Sequence, residues 1–261
     1  MSKSLLKAQN ISIQFGGLKA VTDFNLNLCN GELVGLIGPN GAGKTTVFNI
    51  LSGVYTPTEG RLFVEEEEYK NLPVQNLVHK GIVRTFQNIR LFDYMTVLDN
   101  VLAANNFNMK YGFLKGAFRT SSYWKEEKEA REEAMSLLKI FDLDRFAHYR
   151  AGNLPYGEQR KLEITRAMAT KPKVLLLDEP AAGMNPKETE SLMDTIKFIR
   201  DKFNIAILLI EHDMKLVLGI CERLIVLDHG IVIAEGDPMD VVNRKEVITA
   251  YLGDDSEGGV S

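Results

Sequence analysis

The sequence predicts an α/β fold with a mainly parallel core sheet, and three stretches carry that prediction. Glu32–Ile37 is a short apolar run leading into Gly38-Pro39-Asn40-Gly41-Ala42-Gly43-Lys44-Thr45-Thr46, and Val47-Phe48-Asn49-Ile50-Leu51 beyond it has the apolar spacing of a helix. Val174–Leu177 is apolar at four successive positions, the pattern of a strand buried on both faces, and ends in Asp178-Glu179. Ile205–Ile210 repeats that pattern and runs into Glu211-His212-Asp213. Strand, glycine-rich loop and helix in that order fit G-x-x-x-x-G-K-[ST] together with the context the motif requires.

The residue types of the loop fix its chemistry. Gly41 and Gly43 permit backbone conformations that a side chain forbids and leave room for a phosphate to approach. Successive backbone N–H groups then form an anion nest, backed by the positive end of the following helix. Lys44 can reach the β- and γ-phosphates, and the Thr45 hydroxyl can ligand Mg²⁺. An ordinary glycine-rich turn is the competing reading, and the flanking strand and helix weigh against it. The loop binds a nucleoside triphosphate.

Composition excludes several classes. The chain has 261 residues, enough for one large domain or two small ones with a substantial core, and its 45% apolar and 25% charged content is that of a water-soluble globular protein. A formal charge of −4 gives no electrostatic case for nucleic acid as a partner. Cys29 and Cys221 lie far apart without metal-like spacing, which fits a reducing compartment. Met1–Asn10 lacks the basic-then-apolar pattern of a signal peptide, and no apolar run approaches bilayer length. Work at a membrane would require another subunit to cross it.

In chain order, residues 5–15 alternate and read as a strand ending at Phe15-Gly16-Gly17; Ala20–Leu28 reads as a second, with Asn30-Gly31 as the turn before the loop strand. Phe15 stands upstream of the loop, where an aromatic can stack on a purine, and a core phenylalanine is the plainer reading. Thr56–Gly60 is a turn, Arg61–Val64 a short strand, and Glu65–Glu68 a solvated hairpin tip without calcium-loop spacing. Gly81–Val83 leads to Gln87, a metal ligand or water-positioning residue, or simply a polar loop residue. Tyr94–Ala104 is helical, 105–123 a loop, and Trp124–Phe141 a helix with an apolar stripe at Ala130, Ala134, Leu137, Leu138 and Phe141.

Asn153–Gln159 opens a helix over Arg160–Thr170, and a glycine-containing turn at a helix N-terminus is a candidate second anion site. Asp178 and Glu179 end a buried strand, where open α/β sheets hold their ligands. As neighbours they point apart, so Asp178 fits Mg²⁺ coordination and Glu179 polarisation of an attacking water. Glu188–Phe203 is a helix. His212, past the next strand, can reach a γ-phosphate, or serve as a structural hydrogen-bonding residue. Leu224–Leu227 and Ile231–Ala234 form a hairpin, Asp237-Pro238 begins a helical stretch to Leu252, and 254–261 fray.

Taken together and in this order, these segments resemble the nucleotide-binding subunits of ABC transporters over nearly the whole chain. The resemblance implies a P-loop ABC ATPase fold: a mainly parallel core sheet with an antiparallel β subdomain and an inserted α-helical subdomain. It further implies a single domain over 1–261, with a RecA-like core and β subdomain at about 1–90 and 172–261 and the helical subdomain at about 91–171. ATP and Mg²⁺ are the implied cofactors. Phe15 corresponds to the adenine-stacking aromatic, and Gly38, Pro39, Asn40, Gly41, Ala42, Gly43, Lys44, Thr45 and Thr46 to the Walker A loop. Gln87 corresponds to the Q-loop glutamine, which touches Mg²⁺ and the attacking water and senses the membrane partner. Asp178 matches the Walker B aspartate, Glu179 the catalytic glutamate, Ala182–Asn185 the D-loop, and His212 the switch histidine. The family's metal ligands map to Thr45, Gln87 and Asp178, and its catalytic groups to Glu179, His212, Gln87 and Lys44.

The signature segment, Leu154-Pro155-Tyr156-Gly157-Glu158, departs from Leu-Ser-Gly-Gly-Gln. In the family it closes over the ATP of the opposite subunit. Pro155 has neither hydroxyl nor N–H to offer, so the two ATP sites of a working dimer are expected to be unequal. The wording of Phe15–Val21, Arg84–Gln87, Tyr156–Ile164, Glu179–Pro186 and Ala250–Gly253 is similar to ATPase subunits of branched-chain amino acid importers, specifically the longer of the two. Such a subunit pairs with a shorter homologous ATPase, or with itself as a dimer. It works with two integral membrane permeases and, indirectly, an external amino-acid-binding protein, peripherally at the cytoplasmic face of the inner membrane. A GTPase would need [NT]-K-x-D, whereas Thr170-Lys171-Pro172-Lys173 ends in lysine. ABC proteins of translation or DNA repair carry two cassettes or a long coiled-coil insert. An ABC ATPase for urea, other amino acids or exported lipopolysaccharide is the rival reading.

Overall fold

The computed structural model describes residues 4–70, 73–105 and 121–252. They fall into two compact units. The first holds the residues up to Arg84, Lys173–Pro180 and those from Ile196 on; the second holds Thr85–Pro172 and Ala181–Thr195.

The first unit contains two sheets. Strands β1 (Ser4–Phe15), β2 (Leu18–Cys29), β4 (Glu59–Val64) and β5 (Glu67–Tyr69) form an antiparallel sheet ordered β2-β1-β4-β5. The other sheet is ordered β10-β9-β3-β8-β7-β6, from β3 (Leu33–Ile37), β6 (Ile82–Arg84), β7 (Val174–Asp178), β8 (Ala206–Ile210), β9 (Arg223–Asp228) and β10 (Ile231–Gly236). Its pairings are parallel except for the β9–β10 edge. Every residue of β3, β7 and β8 is buried, so their unbroken apolar runs answer to coverage on both faces. β1 alternates in and out over Leu6–Gln9 and again over Ile11–Gln14, with a register shift between the two stretches.

Helix α1 (Lys44–Leu51) joins the two sheets into one core. Val47, Phe48, Ile50 and Leu51 cluster with Leu6, Ile11 and Phe24 of the antiparallel sheet and with Leu36, Leu176 and Leu208 of the parallel one. The helix that carries the phosphate loop is therefore held on all its apolar sides. The acidic run divides in two. Glu65 and Glu66 make the turn at φ +47° and +76°, while Glu67–Tyr69 continues as a strand that buries Tyr69. Glu65 and Glu67 pair with Lys173 and Lys80, so the tip is solvated and neutralised.

Short helices were the hardest to read from sequence. Six-residue α2 (Val74–His79) and seven-residue α7 (Met214–Ile220) have too few turns to establish a period. The terminal helical stretch breaks at Asn243-Arg244 into α8 (Pro238–Val242) and α9 (Lys245–Leu252).

The second unit is built on α3 (Val97–Asn105), α4 (Ser121–Ile140), α5 (Tyr156–Ala169) and the start of α6 (Pro186–Phe203). The stripe Ala130, Ala134, Leu137, Leu138 and Phe141 is buried as its spacing requires. Helix α4 starts at Ser121, inside the stretch expected to be a loop; residues 106–120 of that stretch, and the tail expected to fray, lie outside the described residues. Helix α5 also starts earlier than expected. Pro155, with φ near the value its ring fixes, occupies the N-cap, which puts Tyr156-Gly157-Glu158 in the first turn. Asn185 caps α6. Its Oδ1 accepts from the N–H groups of Lys187 and Glu188 at 3.0 Å each, and its own N–H donates to Glu188 Oε2 at 2.9 Å. This is a capping box with Pro186 at the first helical position.

Candidate functional site

The phosphate loop runs from the buried end of β3 into α1. Gly38, Gly41 and Gly43 have φ of +148°, +82° and +101°, all in the region that disfavours a side chain. Their surroundings differ. A Cβ on Gly43 would stand 2.8 Å from the Ala20 carbonyl oxygen, and one on Gly38 only 1.9 Å from that of Leu227. A Cβ on Gly41 would meet nothing within 4 Å. Gly43 is thus required by close packing on β2 rather than by room for a phosphate, and Gly41 is the glycine that faces open space.

The loop is also buttressed from the β9–β10 turn, where Gly230 donates its N–H to Ala42 O at 2.9 Å and accepts from Thr22 N at 2.8 Å. Lys44 Nζ donates to the carbonyls of Gly38 (2.7 Å) and Pro39 (2.8 Å), which folds the lysine back along its own loop. Burial lowers the pKa of this amine, while the charges of Glu179 and Asp178 oppose the shift.

Asn40–Thr46, Glu179 and His212 line one cavity of about 220 Å³. Asp178 and Glu179 reach their positions by different routes. Asp178 is the last residue of β7, buried, and its Oδ2 accepts from Arg84 Nη2 at 2.7 Å. Glu179 leaves the strand in the left-handed region, φ +48°, with its N–H on Ile210 O at 3.0 Å. That conformation costs a non-glycine residue roughly 1–2 kcal/mol. The kink ends strand alternation there, and Glu179 Oε1 lies 2.7 Å from His212 Nε2. His212 follows β8 and precedes α7, whose N-cap Asp213 accepts from the N–H groups of Lys215 (2.8 Å) and Leu216 (3.3 Å). A cap adjoining His212 fixes the backbone that carries it.

Sequence reading missed Arg84 as a site residue. From the end of β6 its guanidinium bonds Asp178 and also donates to Asn49 Oδ1 (2.7 Å) and Ser52 Oγ (3.1 Å) at the end of α1. A buried arginine next to a buried aspartate leaves no local sequence signal, because 94 residues separate them. Phe15, for which a core position was the plainer reading, is 45% exposed and makes an edge contact with Tyr55, centroids 5.2 Å apart.

Gln87 and Leu154–Glu158 belong to the second unit. Gln87 is exposed, on the segment between β6 and α3. At the start of α5 a Cβ on Gly157 would stand 3.0 Å from the Glu188 carboxyl group, and one on Gly183 2.9 Å from the Tyr156 ring. The signature segment and Ala182–Asn185 are thus packed on each other, and Gly157 and Gly183 permit it.

A parallel-sheet strand feeding a glycine loop and helix, with a carboxylate pair at the end of a parallel strand of the same sheet, defines a P-loop nucleoside triphosphatase. Residues 21–182 match the family model for ABC transporters, and the chain belongs to that family: it is an ATP-binding, ATP-hydrolysing transporter subunit. It is 48% identical over 254 residues to the high-affinity branched-chain amino acid transport ATP-binding protein LivG of Escherichia coli K12, covering 97% of this chain and 100% of that one. The corresponding BraF protein of Pseudomonas aeruginosa is 46% identical over the same shares. Among solved structures, the ADP conformation of MJ1267, an ATP-binding cassette of an ABC transporter, superposes with a TM-score of 0.83 at 32% identity, over 96% of this chain and 99% of that one.

Proposed function

We propose that the chain is the ATP-hydrolysing subunit of an importer for leucine, isoleucine and valine, coupling ATP-driven closure of a subunit pair to transport by partner permeases. The cargo rests on the 46–48% identity to branched-chain amino acid transport subunits over their full length. On this reading the chain is a single ABC ATPase domain at the cytoplasmic face of the cell membrane, bound there peripherally. Its partners are a homologous ATPase, or a second copy, and two permeases. Among the described residues no helix is long and apolar enough to cross a membrane, which agrees with leaving the crossing to those permeases.

The observation that carries the chemistry is the convergence of Lys44, Thr45, Glu179 and His212 on one cavity. We assign Lys44 to the β- and γ-phosphates, Glu179 to polarising the attacking water, and His212 to the γ-phosphate and to holding Glu179. Gln87 is assigned to orienting the water, Phe15 to the adenine, and Leu154–Glu158 to the partner's ATP. The donor set fits Mg²⁺: the Thr45 hydroxyl and the Asp178 carboxylate are hard oxygens, with Gln87 as the third assigned ligand. The described residues hold no cluster of three or more His, Cys, Asp or Glu, and Mg²⁺ with a triphosphate takes one or two carboxylates beside the phosphate oxygens rather than a full protein cage. When bound, the ion neutralises charge on the phosphate oxygens.

Glu179→Gln tests the chemistry. The swap is nearly isosteric and keeps a partner for His212, so ATP binding persists while turnover falls by about 10²–10⁴, the loss typical of a general base. Trapping of a closed ATP-bound pair supports the assignment, and near-normal turnover sinks it. Leucine-stimulated ATPase activity in vesicles holding the chain with its co-encoded permeases and binding protein tests the cargo. Stimulation by a lipid or by urea instead would redirect it.

A further inference from the structure

Helix α5 does more than present the signature segment. One of its faces holds the backbone of Phe86–Arg90. Arg160, almost fully buried, donates from Nη1 to Phe86 O at 3.0 Å and from Nη2 to Gln87 O. One turn on, Glu163 pairs with Arg160 (3.3 Å) and accepts the Phe86 N–H at 3.4 Å. The Glu163 carboxyl also takes the backbone N–H of Arg90, and burial pushes its pKa up while these partners pull it down. A further turn on, Arg166 donates to Arg90 O and stacks 4.9 Å from the Phe92 ring centroid. The Arg160 guanidinium lies 5.5 Å over the Tyr156 ring, against which Gly183 packs.

Two buried charges in a helix are costly to desolvate, so such a pair is weak evidence of added stability by itself. Here the charges bond two successive carbonyls and an N–H of the segment between β6 and α3. The planar fork reaches the two carbonyls from two separate nitrogens held in a fixed geometry, which the single ammonium nitrogen of a lysine does not reproduce.

We infer that Arg160, braced by Glu163, is a positioning residue: it makes the Gln87 backbone a fixture of the helix that begins at the signature segment. Gln87, the signature and, through Tyr156, the Gly183 loop then share one rigid mount. Whatever displaces α5 shifts all three together. The consequence for ATP turnover rests on the assignment of Gln87 above; the mount itself does not.

Two measurements on the full-length protein separate these. Arg160→Lys keeps the charge beside Glu163 but loses the fork, so the fold persists. By hydrogen exchange, the Phe86 and Arg90 amides are expected to lose roughly tenfold or more of their protection, with the α5 interior amides unchanged. Unchanged protection at Phe86 overturns the inference. In the ATPase assay, Arg160→Lys is expected to lower kcat roughly tenfold with KM for ATP within about twofold. The loss should disappear in a Gln87→Ala background, because both changes remove the same act. Losses that multiply in the double variant overturn a route through Gln87. If Gln87→Ala leaves kcat unchanged, the Gln87 assignment falls, and the exchange result alone decides whether the mount exists.

Discussion

Arg84→Met is the sharpest perturbation available to the nucleotide-binding unit. The pair Arg84–Asp178 is 2.7 Å long, with side chains 7% and 6% exposed. Removing the arginine leaves a buried carboxylate without its counter-ion, a change that costs about 3–5 kcal/mol. The lost bonds to Asn49 and Ser52 push toward the upper figure. Lys44, whose amine senses Asp178, stands in for part of the lost charge and pulls toward the lower one. At roughly 2–4 °C per kcal/mol for a chain of this size, a 3 kcal/mol loss lowers the thermal midpoint by about 6–12 °C. The assay is thermal and urea unfolding of Arg84→Met, Asp178→Asn and the double variant. The asparagine amide needs no counter-charge, so the double variant should be less destabilised than the sum of the singles by about 2 kcal/mol or more. Additivity within about 0.5 kcal/mol would refute the buried-pair reasoning.

Two further outcomes follow from the phosphate loop and the signature. Gly43→Ala is expected to lose clearly more stability than Gly41→Ala, since both carry left-handed strain of about 1–3 kcal/mol but only Gly43 would collide with backbone; equal midpoints would contradict the packing role of Gly43. In a pair with a homologous ATPase, with the catalytic glutamate replaced by glutamine at one site and then at the other, the site closed by Pro155 is expected to turn over more slowly, because proline offers the partner's ATP neither hydroxyl nor N–H; equal rates from both arrangements would remove that expectation.

Much of the site was legible because its physics is local. The phosphate loop needs glycines, a lysine and a hydroxyl within one turn between strand and helix, so nine adjacent residues state the ligand. The fully apolar runs at Val174–Leu177 and Ile205–Ile210 read as interior parallel strands, and β7 and β8 are buried throughout. The starts of α5 and α6 were less legible: the sequence places them at Arg160 and Glu188, while Pro155 and the Asn185 side chain cap them earlier.

Other features depend on residues far apart in sequence, and only the tertiary structure decides them. Asp178 and Glu179 are adjacent letters, and alternation predicts that they diverge. The left-handed turn at Glu179 and its 2.7 Å contact with His212, 33 residues on, set where the carboxylate stands. The partners of Arg84, and the clamp of Arg160 on a backbone 73 and 74 residues away, likewise have no local pattern. Sequence alone determines the ligand and the sheet that holds it, because phosphate binding and strand burial are written in neighbouring residues. Folding decides which charges meet in the interior, because a buried ion pair is specified by three-dimensional distance and by nothing nearer along the chain.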